Sequence, residues 1–188
     1  MTSIKPCRAR RPAMTSCQDQ YAPHGICYGC GPANAKGIQI KSFWEPEAGE
    51  RMVDVAPVHD GEVFVTRFTP EDHHQAFVGV INGGIIGTLL DCHSNWCAAM
   101  SLMRHHGWDE AMCTVTADFH VKLRAPTPHG TELTVRAWTT EITGDNDRMA
   151  KVYAEIWADT PRGRKCTATC TGTFVAVEEG HPAWHRWG

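Results

Sequence analysis

The stretch 82–104, NGGIIGTLLDCHSNWCAAMSLMR, joins two adjacent glycines to a single acid, Asp91, inside one apolar run. If a helix opens at Gly83, its first N–H groups have no intrahelical acceptor and lie at the positive end of the macrodipole. Gly83 and Gly84 put no Cβ between those groups and a ligand, which suits an anion or a developing oxyanion. The plainer reading is that the glycines let a buried helix start against close backbone. Asp91 offers the complementary chemistry, a carboxylate for general-base or nucleophilic attack. It follows Gly83 by eight residues, about 12 Å along the helix axis and roughly 80° around it. One chain therefore cannot set both groups around one carbonyl, whereas two antiparallel copies related by a twofold axis can. A purely structural Asp91 would need a cation or several donors, for which Asn95, Thr116 and His93 are the conceivable sources.

Other reactive side chains have plainer readings. His93 falls on the apolar stripe of the helix, where a hydrogen-bonded core histidine is expected. Cys92 lacks an evident base, and buried helix thiols are usually inert. The loop HGICYGCGPANAKG contains Cys27-x-x-Cys30, which is half of a zinc site. A second ligand pair is not evident, since the remaining candidates are scattered histidines and core-like cysteines. The expectation is a tight loop with two small semi-buried thiols and no metal. Arg104, Lys122, Arg124, Arg162 and Arg164 are read as surface charge.

These groups must be positioned by the elements around them. Ile86, Leu89, Leu90, His93, Trp96, Cys97 and Met100 follow the i, i+3, i+4, i+7 spacing of one helical face. Gly84, Gly87, Thr88, Asp91, Asn95 and Ala98 form a second stripe of small and polar residues. Strands are expected at 37–44 and 62–69, with a short one near 52–55, and 70–81 reads as a loop leading into the helix. Four strands follow at 112–124, 132–143, 148–159 and 165–177. Their connections, APTPHGT, GDND and TPRGR, are short and turn-rich, so antiparallel hairpin neighbours are expected. In the first of these strands Val115, Ala117, Phe119, Val121 and Leu123 alternate with polar residues, giving one core face and one wet or interfacial face. Residues 1–20, with Lys5, Arg8, Arg10 and Arg11, read as a mobile tail, or as an Arg-rich, acid-poor transit-peptide-like segment. Residues 21–188 read as one domain, with Trp184 and Trp187 docking on the body or on a partner subunit.

Composition narrows the function. The chain has 188 residues, a net charge of −3 and a pI near 6.4, with no basic footprint for nucleic acid. Its nine cysteines are an odd set with no secretory leader before them, which suggests reduced thiols in a cytoplasm. Asp91, His93 and Asn95 interrupt the longest apolar run, which argues against a membrane span.

The segment VGVINGGIIGTLLD resembles the signature of hotdog-fold acyl-CoA thioesterases of the phenylacetate-pathway (PaaI-like) type. In that family a His-Gly-Gly opens the central helix and an acid follows eight residues after the first Gly. CYGCGPANAKGIQI and TVTADFHVKLRAPTPHGTELTVRAWTTEI are similar to the family as well, so the likeness covers about residues 25–177. It implies an α+β hotdog fold, an antiparallel β-sheet wrapped around one long central α-helix. It implies also a homodimer or dimer of dimers, and hydrolysis of a coenzyme A thioester without a cofactor. Carried over by position, Asp91 is the acid and Gly83 the backbone donor that polarises the thioester carbonyl from the partner chain, with Gly84 beside it. Thr116 matches a hydroxyl that helps to position the attacking water. His74 and Gln75 fall where relatives place an imidazole or amide near that water. Asn82 departs from the usual His; an Asn still caps a helix and hydrogen-bonds a carbonyl, but takes no proton at neutral pH. Two other outcomes fit the same fold: a non-catalytic acyl-CoA-binding module, and a hotdog hydratase or dehydratase using Asp91 and His93.

Overall fold

The structure, a computed structural model, describes residues 15–184. In chain order it contains α1 (Cys17–Tyr21), β1 (Ser42–Pro46), β2 (Glu62–Phe68), a short hairpin of β3 (Gln75–Phe77) and β4 (Val80–Ile81), the long helix α2 (Gly83–His106), and then β5 (Thr114–Leu123), β6 (Leu133–Thr143), β7 (Met149–Thr160) and β8 (Gly163–Ala176). The helix runs 24 residues, about 36 Å. Its N-terminus is closed by the Asn82 side chain, which accepts from the Gly84 N–H at 2.7 Å. Its C-terminus ends at Gly107, whose φ of 66° is the left-handed conformation glycine adopts without strain.

The expected apolar stripe is the buried one: Ile86, Leu89, Leu90, His93, Trp96, Cys97 and Met100 all face the core. They pack on a six-stranded antiparallel sheet of order β1-β2-β6-β7-β8-β5, which curves around the helix. The result is the expected α+β hotdog architecture. His93 is a core residue, as its place on the stripe implied. Its Nε2–H donates to the Phe64 carbonyl at 3.0 Å, and its Nδ1 lies 3.0 Å from the Ser42 hydroxyl. Burial pushes its pKa down to about 4, so the ring is a neutral hydrogen-bonding bridge.

Four expectations are corrected. The chain is ordered well before residue 21: α1 is capped by Ser16, and Gln18, fully buried, bonds both the Oγ and the N–H of Ser42. Residues 1–14, which hold most of the expected tail, and Trp187 lie outside the described residues. No strand forms near 52–55, and that segment instead straps the outer sheet face. The reason is a buried anchor in which Arg136 donates to the Ala48 and Glu50 carbonyls and to Glu155, while Met52 N–H and Trp157 Nε1–H also donate to Glu155. The 70–81 segment is not plain loop but a single 3-10 turn, Asp72–His74, followed by the β3–β4 hairpin.

The fourth correction is topological. β5 pairs with β8, so β5 and β6 are not hairpin neighbours. The connector between them, with Pro126 and Pro128 withholding two N–H donors, runs past the mouth of α2. Arg124 and Ala125 N–H donate to the Thr167 carbonyl, and the Ile81 N–H donates to the Thr127 carbonyl at 3.0 Å. The β6–β7 and β7–β8 hairpins form as expected.

Candidate active site

Asp91 sits about a third of the way along α2, on the side that the chain's own sheet leaves partly open. Its Oδ1 accepts a hydrogen bond from Thr116 Oγ1 at 2.8 Å. Behind Thr116, Asn95 is fixed on β5: its Oδ1 accepts from Thr114 Oγ1 at 2.7 Å and its Nδ2 donates to the Thr114 carbonyl at 3.2 Å. No ion pair among the described residues includes Asp91. Burial raises its pKa above the ordinary 3.8, and the Thr116 hydroxyl partly opposes that rise. A half-buried carboxylate held by one hydroxyl, with no cation beside it among the described residues, can accept a proton more readily than an exposed one.

A β-bulge between Thr116 and Asp118 brings two parts of β5 to this site. Before the bulge Thr114 and Thr116 face α2; after it Phe119, Val121 and Leu123 do. These three side chains and Gly83, Gly84, Gly87, Thr88 and Asp91 line a cleft of about 490 Å³. Simple alternation puts Thr116 and Phe119 on opposite faces, and the extra residue reverses that. The expectation that Val115, Ala117, Phe119, Val121 and Leu123 share one face therefore fails at the bulge.

At the mouth of the cleft the Asn82 side chain occupies the Gly84 N–H, leaving the Gly83 N–H, the first of the helix, directed outward from the N-terminus. Gly83 and Asp91 thus lie on one groove, at opposite ends of it. His74 and Gln75 are not among the residues lining this cleft. His74 is buried; its Nδ1 accepts from the Glu71 N–H at 2.9 Å and its carbonyl accepts from the Asn82 N–H at 2.9 Å. Gln75 accepts from the Gly79 N–H at 2.7 Å and so closes the β3–β4 turn. Both residues shape the approach to α2 rather than reaching Asp91. His93 points to the other side of the helix, which removes it as an acid–base partner for Asp91.

A second cavity, of about 250 Å³, adjoins Asp91 on the side of Asn95 and Thr116. Cys27, Cys30 and Cys92 line it, and their three Sγ atoms lie within 4.8 Å of one another. The CxxC pair therefore meets a third thiol. Nothing in the spacing of the sequence linked Cys92 to that loop; only the contact of a glycine-rich turn with α2 does so. All eight described cysteines are free, and no helix among the described residues is long and apolar enough to cross a membrane.

Residues 78–164 match the family model of the thioesterase superfamily. No curated protein matches the chain in sequence. Among solved structures, the chain is similar to a thioesterase-superfamily protein from Shewanella loihica, at 26% identity over 69% of this chain and 96% of that one, with a TM-score of 0.49. It is similar to an apo-hexameric acyl-CoA thioesterase at 23% identity, covering 65% and 74% of the two chains, with a TM-score of 0.51. An acyl-CoA hydrolase from Staphylococcus aureus, solved with butyryl coenzyme A, coenzyme A and coenzyme A disulfide, matches at 19% identity over 65% and 70%, with a TM-score of 0.51. The last two agree with the fold described above. The match to residues 78–164 spans the β3–β4 turn, α2, β5, β6 and β7, so the part of the hotdog fold that carries Gly83, Asp91 and Thr116 is the part similar to the thioesterase superfamily.

Proposed function

We propose that the chain hydrolyses acyl-CoA thioesters to a free acid and coenzyme A. The observation that carries this reading is Asp91, a half-buried carboxylate bonded to Thr116 and in no ion pair among the described residues, on a groove that begins at the exposed Gly83 N–H. Water beside Asp91 attacks the acyl carbon and gives its proton to the carboxylate. The carbonyl oxygen becomes an oxyanion, held by a Gly83 N–H and the helix dipole. The tetrahedral intermediate then collapses, the C–S bond breaks, and coenzyme A leaves as a thiolate. The apolar wall of Phe119, Val121 and Leu123 suits the acyl or pantetheine chain. Because Gly83 and Asp91 lie at opposite ends of the groove, each site takes Gly83 from one protomer and Asp91 from its partner, in a homodimer or a dimer of dimers. Free thiols agree with a reducing, cytoplasmic setting.

The test is thiol release from a panel of short-chain, medium-chain and aryl acyl-CoAs. We expect turnover on at least one class, and Asp91→Asn to lower it by about 10²- to 10⁴-fold. Equal, background rates for both proteins on every substrate would overturn hydrolysis. Saturable binding by calorimetry without turnover would instead identify a binding module.

A further inference from the structure

We propose that Cys27, Cys30 and Cys92 bind a thiophilic divalent cation, Zn²⁺ by their chemistry, and that the ion ties the 25–38 loop to α2 beside the Asp91 cavity. The sulfur geometry fits such an ion. Cys27 Sγ and Cys92 Sγ are 3.7 Å apart and all three sulfurs fall within 4.8 Å. A tetrahedral site with Zn–S bonds of about 2.3 Å has S···S edges of about 3.8 Å, so one edge is already in place and the other sulfurs need only small rotamer adjustments.

The loop is built around those sulfurs. The Gly31 N–H donates to the Cys27 carbonyl at 2.9 Å, closing a turn between the two loop cysteines. A Cβ on Gly31 would meet Cys27 N at 2.4 Å, and one on Gly29 would meet Cys92 Sγ at 2.3 Å. Glycine at both positions thus lets the turn wrap Cys30 while its backbone lies against the helix thiol. Cys27 is exposed, which gives an ion a route of entry.

Three protein ligands leave a fourth position, and the cavity of about 250 Å³ bounded by the three cysteines, Asp91, Asn95 and Thr116 has room for a solvent oxygen there. The Asp91 carboxylate is not a member of the sulfur cluster, so it need not serve as a ligand and remains available for hydrolysis. The proposal does not rest on the thioesterase reading, because metal binding is measured without substrate.

The experiment uses the full chain, purified under reducing conditions without chelator. We expect about one zinc per chain by elemental analysis. After chelation, Co²⁺ should restore the intense visible bands of a tetrahedral, thiolate-rich site, and Zn²⁺ should bleach them. Cys27→Ser and Cys92→Ser should each weaken Co²⁺ binding by roughly 100-fold or more, at least the loss expected for an outer-shell partner, with Cys166→Ser unchanged. The cobalt titration of the unaltered protein needs no variant to fold. The proposal is overturned if the reduced protein takes up neither ion. It is overturned equally if the serine variants bind as tightly as the parent, or if Cys27 and Cys92 are isolated as a disulfide and bind no metal after reduction.

Discussion

At the scale of single residues, the proposed hydrolysis depends on Thr116 as well as on Asp91. The Thr116 hydroxyl donates to the carboxylate at 2.8 Å, and a hydrogen bond to a charged group contributes roughly 1.5–3 kcal/mol. Thr116→Val keeps the shape of the side chain and removes the donor. We expect kcat to fall about 10- to 100-fold, since each 1.4 kcal/mol is tenfold, while Thr116→Ser retains most of the rate. Unfolding midpoints close to those of the parent in both variants would separate positioning from structural damage, and a Val variant with parental kcat would remove Thr116 from the mechanism. Asp91 was legible as the single acid in an apolar helix, and Gly83 as the glycine at its mouth. Thr116 was legible because its spacing from the helix matched a family pattern. Cys92 as a neighbour of Cys27 was not, because a contact between a loop and a helix 65 residues apart leaves no periodic trace in either.

At the scale of elements, the pattern of α2 was readable because 3.6-residue periodicity is a property of one segment alone. β5 was misread because a bulge belongs to a pair of strands: the extra residue near Asp118 exists only in register with β8. The same limit hid the pairing of β5 with β8 and the crossing of the 125–131 connector. The turn before α2 carries a pH dependence of its own. Burial pushes the His74 pKa below the ordinary 6.5, His73 and His129 push the same way, and Glu71 opposes them. The ring also packs on Phe68, with centroids 5.3 Å apart. Its Nδ1 must be unprotonated to accept the Glu71 N–H. A lowered folded-state pKa means that the folded turn binds a proton less readily than the unfolded chain. Its contribution is therefore complete above pH 6.5 and is lost as pH falls below that value. We expect amide protection of Glu71 and Asn82, measured by hydrogen exchange, to decline below pH 6.5 in the parent. In His74→Phe that pH dependence should disappear; protection that is flat with pH in the parent would refute the assignment.

At the scale of the molecule, the proposed reaction divides its apparatus between two chains. β5 is an edge strand of ten residues, bonded on one side only, and its Phe119 and Leu123 are 43% and 59% exposed. A long unpaired edge that exposes two large apolar side chains invites a second copy. We expect a mass in solution of at least about 42 kDa, twice the chain mass of 20.8 kDa. Sharing of the site is tested by complementation. Gly83→Pro removes the one N–H in question, and proline is well tolerated at the first helical position. Asn82, with φ −64° and ψ 136°, already has the extended conformation that a following proline requires. Gly83→Pro alone should lose about 10²- to 10³-fold, and Asp91→Asn alone about 10²- to 10⁴-fold. When the two variants are mixed and allowed to exchange subunits, half the dimers are mixed. Each mixed dimer contains one site with an intact Gly83 from one chain and an intact Asp91 from the other. Activity should therefore return to about a quarter of the parent, with the substrate preference of the parent. If Gly83 and Asp91 of the same chain form the site, every site in the mixed dimer is damaged, and activity stays at the level of the separate variants however long exchange proceeds.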